Sequence, residues 1–162
     1  MKIRPARRDD DFQAVAQLYD DVWQVTYAGL LPATFLSQLS PATWHPERRW
    51  QLMWLAFSDT NHLVGTCAAG PARAPDHAGW GEIYSIYVRP SAQHQGVGRQ
   101  LMATALAKLA PLHAPIYLEV LATNQAAQTF YRQLGFQQKG TVQTRTVPQG
   151  QLSVVEMVWH QD

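Results

Sequence analysis

The residues that point most directly to chemistry are Gln93-His94-Gln95-Gly96-Val97-Gly98. Two glycines one residue apart let the backbone turn tightly with no Cβ in the way, so successive N–H groups can aim at one spot. A helix opening directly after such a turn adds its first-turn N–H groups, which have no acceptor within the helix. That combination binds an anion, usually a phosphate. Two familiar phosphate loops are excluded. The dinucleotide fingerprint needs a glycine three positions after Gly98, where this chain has Leu101, and the Gly-Lys-[Ser/Thr] of the P-loop is absent.

Other reactive groups are sparse. Cys67 sits among Val64, Gly65, Thr66, Ala68 and Ala69, as a small core residue on a strand would, and one cysteine forms no intrachain disulfide. Neither it nor any serine belongs to a His-centred arrangement, so no enzyme nucleophile is expected. His45, His62, His77, His94, His113 and His160 are dispersed without paired ligand spacing, and no metal is expected. After Asp76 the carboxylates are only Glu82, Glu119, Glu156 and Asp162, so the choice of a general base in the second half is short.

The loop needs a strand before it and a helix after it. Ile83 to Val88 is rich in β-branched and aromatic residues and is closed by Arg89-Pro90, where proline stops a ladder. Beyond Gly98, Leu101, Met102, Ala105, Leu106 and Leu109 recur at three- and four-residue spacing, with Arg99, Gln100 and Lys108 on the opposite face. Before this unit, the sequence predicts a strand at Met1 to Arg4. A helix capped within Asp9 to Asp11 and striped by Phe12, Val15, Tyr19, Val22 and Thr26 follows, then short helices opening at Pro32 and at Ser40-Pro41. Met53 to Phe57 and His62 to Ala69 read as a hairpin, and Gly70 to Gly81 as a loop. After it come a strand at Ile116 to Val120, a helix from Asn124 to Leu134 stopped by Gly135, and a last hairpin turning at Val147 to Gly150. Trp23, Tyr27, Phe35, Trp44 and Trp50 either bury one helical layer or line a substrate pocket.

Such an order implies an α/β domain, an α+β mixed sheet of six to seven strands with helices on both faces. The 162 residues, 46% of them apolar, suit a single domain spanning 1–162 with a sizeable core. A net charge of +1 with 15% charged residues advertises neither nucleic acid nor a membrane surface and fits a small-molecule ligand better. Asp9, Asp10 and Asp11 follow the basic N-terminus where a signal peptide would have an apolar stretch, and no apolar run spans a membrane, so the cytoplasm is the expected compartment.

Read whole, Pro90-x-x-Gln93-x-x-Gly96-x-Gly98, after an apolar strand and before an amphipathic helix, resembles the acetyl-CoA loop of the GNAT superfamily of N-acetyltransferases. A second stretch looks like that family's other signature: Leu118-Glu119-Val120, then Asn124, Ala127, Tyr131 and Leu134-Gly135-Phe136. The resemblance implies a GNAT-like acyl-CoA N-acyltransferase fold and acetyl-CoA as cosubstrate, with the pyrophosphate held by Gln93, His94, Gln95, Gly96, Val97, Gly98 and Arg99. It further implies that the central strand and the next one splay apart, with Ile86, Tyr87 and Val88 binding the pantetheine arm and thioester, and Asn124 and Tyr131 facing that arm. Trp23, Tyr27 and Tyr84 are the acceptor-side candidates.

Two expectations about proton transfer follow from the resemblance. A lysine-like amine has a pKa near 10.4, so presenting it unprotonated at pH 7 costs roughly 3.4 units, or about 4.6 kcal/mol, and a base is useful. In the ribosomal-protein branch that base is a Leu-Glu-Val glutamate twelve residues before the tyrosine, a spacing that Glu119 and Tyr131 keep. Glu82, opening the central strand, is the alternative. The resemblance gives Tyr131 the role of acid to the departing thiolate. Because a thiol near pKa 8.5 is more acidic than a phenol near 10, transfer runs uphill by roughly 2 kcal/mol, and Tyr131 is expected mainly to hydrogen-bond and orient the sulfur.

The acceptor is expected to be a small primary amine, since the N-terminal region departs from the ribosomal-protein branch. A protein N-terminus or lysine is the alternative within enzymes, and a CoA-binding sensor without turnover, or a module holding an ATP or NAD phosphate, the alternatives outside it. Net charge disfavours a polyamine, although Asp20 and Asp21 offer a local acidic patch. The hairpin edge around Gln143 to Ser153 allows a homodimer.

Overall fold

A computed structural model describes residues 1–161. Seven strands form one sheet: β1 (Lys2–Pro5), β2 (Met53–Phe57), β3 (Leu63–Pro71), β4 (Gly81–Val88), β5 (Ile116–Leu121), β6 (Gln137–Val147) and β7 (Gly150–Trp159), in the order β1-β2-β3-β4-β5-β7-β6. The β4–β5 ladder is parallel and the β1–β2, β2–β3, β5–β7 and β7–β6 ladders are antiparallel. The helices are α1 (Phe12–Thr26), α2 (Ala33–Leu36), α3 (Val97–Leu109) and α4 (Gln125–Gln133). Among the described residues no helix is long and apolar enough to cross a membrane.

The chain divides into two compact units. The first comprises Met1–Ala69 and Tyr84–Ala105. Its core joins Val15, Leu18, Tyr19 and Val22 of α1 to Met53 and Leu55 of β2 and Ala68 of β3, with Phe12, Trp44, Trp50, Tyr84 and Tyr87 packed around them. The α1 stripe faces this core because its apolar residues recur every three or four positions. Asp11 starts the helix by accepting a hydrogen bond from the Ala14 N–H at 3.0 Å. Leu18 and Leu55 are fully buried, each worth about 1.5–3 kcal/mol of transfer free energy.

The second unit comprises Gly70–Ile83 and the chain from Leu106 on. β5 is its centre, with every residue buried except Glu119, as expected for a strand apolar on both faces. Leu118, Phe136 and Met157 are the largest of its fully buried side chains, together with Ile116. β6 lies at the sheet's end and is exposed from Gln137 to Thr146. Its Lys139, Arg145, glutamines and threonines, and the register shift between Lys139 and Gln143, blunt that edge.

Three expectations need correction. Gly70 to Gly81 is not a plain loop: β3 runs on to Pro71, the Ala72 N–H donates to the Trp80 carbonyl at 2.9 Å, and Pro75–His77 forms a 3-10 turn. The glycines and prolines that suggested irregular chain sit at the ends of an ordered excursion. Ser40-Pro41 opens only a three-residue 3-10 turn, followed by a second 3-10 stretch at Pro46–Leu52, because Pro46 brings a ring and no N–H where a longer helix would need a donor. Pro32 precedes α2 instead of being its first residue.

Candidate active site

The first unit holds the anion loop. β4 ends at Val88, Pro90–Ala92 makes one 3-10 turn, and α3 begins at Val97. His94 and Gly96 both have positive φ, 60° and 83°, so the backbone reverses twice within three residues. His94 tolerates this as one of the residue types enriched in the left-handed region. The side chains of the two glutamines turn back onto the loop: Gln93 Nε2 donates to the Val88 carbonyl at 3.1 Å and Gln95 Nε2 to the Ser91 carbonyl at 3.0 Å. They brace the turn. A Cβ on Gly96 would meet nothing nearer than Gln100 Nε2 at 4.0 Å, so the space beside that residue is open. Val97 is buried and anchors the first turn of α3, where Leu101, Met102 and Ala105 are fully buried, while Arg99 and Gln100 are exposed. An open backbone nest at the N-terminus of a well-packed helix fits a pyrophosphate.

A cavity of about 350 Å³ lies in the same unit, within the range of small-molecule sites. Tyr19, Trp44, Tyr84 and Tyr87 form its aromatic walls; Thr43, His45, Ser85, Arg48 and Arg49 supply the polar lining. Tyr19 and Tyr87 meet with ring centroids 4.6 Å apart. Burial pushes both phenols above their ordinary pKa; neighbouring Tyr87 adds to the effect at Tyr19, while Trp23 Nε1, donating to the Tyr87 hydroxyl at 3.0 Å, opposes it at Tyr87. Of the acceptor-side residues expected from the sequence, Tyr84 lines the cavity. Trp23 and Tyr27 stand one layer behind, in a cluster where Trp23 lies 5.2 Å from Trp44, 4.4 Å from Tyr27 and 6.4 Å from Phe35. The aromatic segment thus does both things considered for it: most rings build a layer, and Trp44 reaches the cavity. Ile86 and Val88 are half-buried on β4, whose ladder to β5 is limited to Gly81↔Ile116 and Glu82↔Tyr117.

In the second unit both candidate carboxylates are engaged by arginines. Arg145 donates to Glu119 through Nε (3.0 Å to Oε2) and Nη2 (2.8 Å to Oε1). Arg73 grips Glu82 with its backbone N–H (2.9 Å) and Nη2 (2.6 Å). Glu82 is 6% exposed, so its carboxylate is buried in the grip of Arg73. Tyr117 shares this environment: burial raises its phenol pKa, and the Glu82 charge raises it further. Asn124 Oδ1 caps α4, accepting from the Ala127 N–H at 3.1 Å. Tyr131 is half-buried, its ring 5.4 Å from Phe130 and 6.0 Å from Phe136. Glu156 Oε2 accepts from His77 Nε2 at 2.9 Å, and Gln128, 3% exposed, ties α4 to β5 by donating to the Leu121 and Ala122 carbonyls.

Sequence reasoning missed Arg48 and Arg49 in the cavity, the arginine partners of Glu82 and Glu119, and Gln128. Arg48-Arg49 between Trp44 and Trp50 was a readable signal, a charge pair inside an aromatic segment. The others meet partners far along the chain.

Within the first unit, the turn where β4 gives way to α3 has the form of an anion nest, and an aromatic cavity is lined by residues of the same strand. The family model described as the acetyltransferase (GNAT) family matches residues 12–136, and the chain belongs to that family. It is 30% identical over 145 residues to a probable N-acetyltransferase of Mycobacterium tuberculosis, covering 84% of this chain and 79% of that protein. An uncharacterized N-acetyltransferase of Bacillus subtilis is 28% identical over 106 residues, 62% of this chain, and the match spans 60% of that protein's length. Among solved structures, the PaiA N-acetyltransferase of Thermoplasma acidophilum in complex with coenzyme A superposes with a TM-score of 0.78 at 20% identity, covering 99% of this chain and 98% of that one.

Proposed function

We propose that this protein is an acetyl-CoA-dependent N-acetyltransferase that acetylates a primary amine of a small molecule by direct attack within a ternary complex. The observation that carries the reading is the open backbone nest from Gln93 to Gly98, preorganised by the side-chain braces of Gln93 and Gln95. Gly96, Val97, Gly98 and the first turn of α3 hold the pyrophosphate through N–H groups; His94 and Arg99 stand exposed beside it. When bound, acetyl-CoA supplies an activated acyl group. Backbone groups of Ile86 to Val88 orient it, and the protein contributes proximity and a polarised carbonyl.

Glu119 is our candidate base and Glu82 its alternative. Arg145 and Arg73 hold these carboxylates and act as positioning residues for them. Tyr131 hydrogen-bonds the leaving sulfur and transfers its proton late, and Asn124 sets the start of α4 from which Tyr131 projects. A small-molecule acceptor is favoured over a protein by the cavity, whose 350 Å³ and aromatic walls suit a compact body. The cytoplasm is the proposed compartment.

The test is thermal unfolding with acetyl-CoA, CoA, ATP and NAD in turn. Both CoA species should raise the midpoint at concentrations where ATP and NAD do not, and a protein that none of the CoA species stabilises would leave the loop a simple glycine turn.

A further inference from the structure

The cavity beside β4 carries positive charge and no negative charge. Arg48 and Arg49 both line it, and its remaining lining residues include no aspartate or glutamate. Among the described residues neither arginine has a carboxylate within ion-pair distance; the ion pairs of this unit engage other groups. Arg49 lies over the Tyr84 ring, 5.7 Å from its centroid, and its charge is felt at the two buried phenols of Tyr19 and Tyr87, where it opposes part of the effect of burial. Trp44 Nε1, on the same wall, is buried without a hydrogen-bond partner. Two acidic groups of this unit are committed elsewhere. Asp21 is bound by Arg89 Nη1 at 2.7 Å and by Gln17 Nε2 at 2.8 Å, and Glu47 is bound by His45 Nδ1 at 3.2 Å; neither faces the cavity.

We infer that the acceptor is an amino carboxylate, a primary amine on an apolar or aromatic body that also bears a carboxylate, and that Arg48 and Arg49 select it by holding that carboxylate. Two guanidiniums offer planar, paired donors whose geometry matches a carboxylate, and such charge-assisted hydrogen bonds strengthen in a partly desolvated cavity. Tyr19, Trp44, Tyr84 and Tyr87 take the body of the molecule. The same charge repels polyamines. This inference rests on the proposed function, since it names the acceptor class for that same reaction.

The chemistry is balanced without any further reactant. The amine nitrogen forms a bond to the acyl carbon, the bond from that carbon to sulfur breaks, the sulfur leaves with the electron pair and takes up a proton, and the nitrogen loses one. The acceptor's carboxylate takes no part in these steps and serves only to position the amine.

The test uses matched pairs that differ by the carboxylate alone: phenylalanine against 2-phenylethylamine, and leucine against isopentylamine, with spermidine as a polycation. Release of CoA thiol from acetyl-CoA gives kcat/KM for each. The carboxylated member of a pair should be preferred by about 10- to 150-fold, the discrimination expected of hydrogen bonds to a charged group. That ratio should collapse in Arg49→Ala and Arg48→Ala and be partly kept in Arg49→Lys. Arg49→Glu should invert it towards the decarboxylated amines. Each variant must still gain thermal stability from acetyl-CoA, which shows that it is folded and that its nucleotide loop is intact.

Equal use of both members of each pair, or equal loss on both in Arg49→Ala, overturns the carboxylate assignment and leaves the acetyltransferase reading standing. A shift of the Arg49→Ala defect onto the KM for acetyl-CoA overturns it also, because the arginines would then belong to the donor's site. Acetylation of none of these amines by a protein that acetyl-CoA stabilises overturns the amine-acceptor reading and this inference together.

Discussion

Replacing Gly96 with alanine separates backbone strain from ligand binding in one variant. Gly96 holds φ at 83°, and an added Cβ would meet only Gln100 Nε2 at 4.0 Å. No steric clash therefore contributes, and the cost to the free protein is the left-handed conformation itself, about 1–2 kcal/mol. For a chain of this size that lowers Tm by about 2–8 °C. The larger effect falls on the liganded protein, because the new methyl group lies on the open face of the nest. Wild-type protein at a ligand concentration of 100 times its Kd gains about 2.7 kcal/mol. If the methyl raises the Kd 100-fold, the gain at that concentration falls to about 0.4 kcal/mol. The acetyl-CoA shift in Tm should thus shrink from about 5–11 °C to about 1–2 °C. Differential scanning calorimetry with and without acetyl-CoA reads both numbers. Gly29→Ala is the control: its φ is 78° with nothing within 4 Å of an added Cβ, so it should lose similar stability and keep the full ligand shift. If Gly96→Ala keeps that shift as well, the loop does not hold the pyrophosphate.

Other consequences are as direct. Burial pushes the Cys67 thiol up to about 12, so in native protein it should resist thiol reagents at pH 8 and label only at the rate of unfolding, which stopped-time labelling with mass spectrometry measures. Burial opposes charge on His77, but the hydrogen bonds and charges of Glu156 and Asp76 together outweigh it and raise its pKa above 6.5. Its ion pair with Glu156 is therefore fully stabilising below pH 6.5 and is lost as pH rises through the folded value; the Tm gap between wild type and His77→Gln should narrow between pH 6 and pH 9. Tyr131→Phe should slow turnover without abolishing it and leave the acetyl-CoA shift in Tm unchanged, and loss of that shift would reject the proposed role. Glu119→Gln should depress kcat more than Glu82→Gln does, read by CoA thiol release; the reverse order would move the base to Glu82.

What the sequence made legible was local. Proline and glycine placed the end of β4 and the turn into α3, and the three- and four-residue spacing of Leu101, Met102, Ala105 and Leu109 placed the buried face of α3, because each is decided by residues a few positions apart. The family resemblance rested on those same residues. What the sequence did not carry was the meeting of distant groups. The sheet order sets β7 between β5 and β6, so the pairing of Arg145 with Glu119, 26 positions apart, depends on a crossover that no local signal encodes. Arg73 reaches Glu82 only because the segment between them closes on itself through the Ala72–Trp80 hydrogen bond, where proline and glycine content suggested an open loop. The aromatic run from Trp23 to Trp50 announced burial, but only three dimensions separate Trp44, in the cavity wall, from Trp23, behind it.

The central claim is that an acetyl group passes from acetyl-CoA to a primary amine with no covalent enzyme intermediate. Its most direct measurement is mass spectrometry of a reaction containing the protein, acetyl-CoA and a primary-amine panel. The account predicts that CoA appears only when amine is present, that the amine gains one acetyl group for each CoA released, and that the intact protein keeps its unmodified mass throughout. CoA release without an acetylated amine, or an acetylated protein that forms before the amine is added and disappears with it, would contradict it.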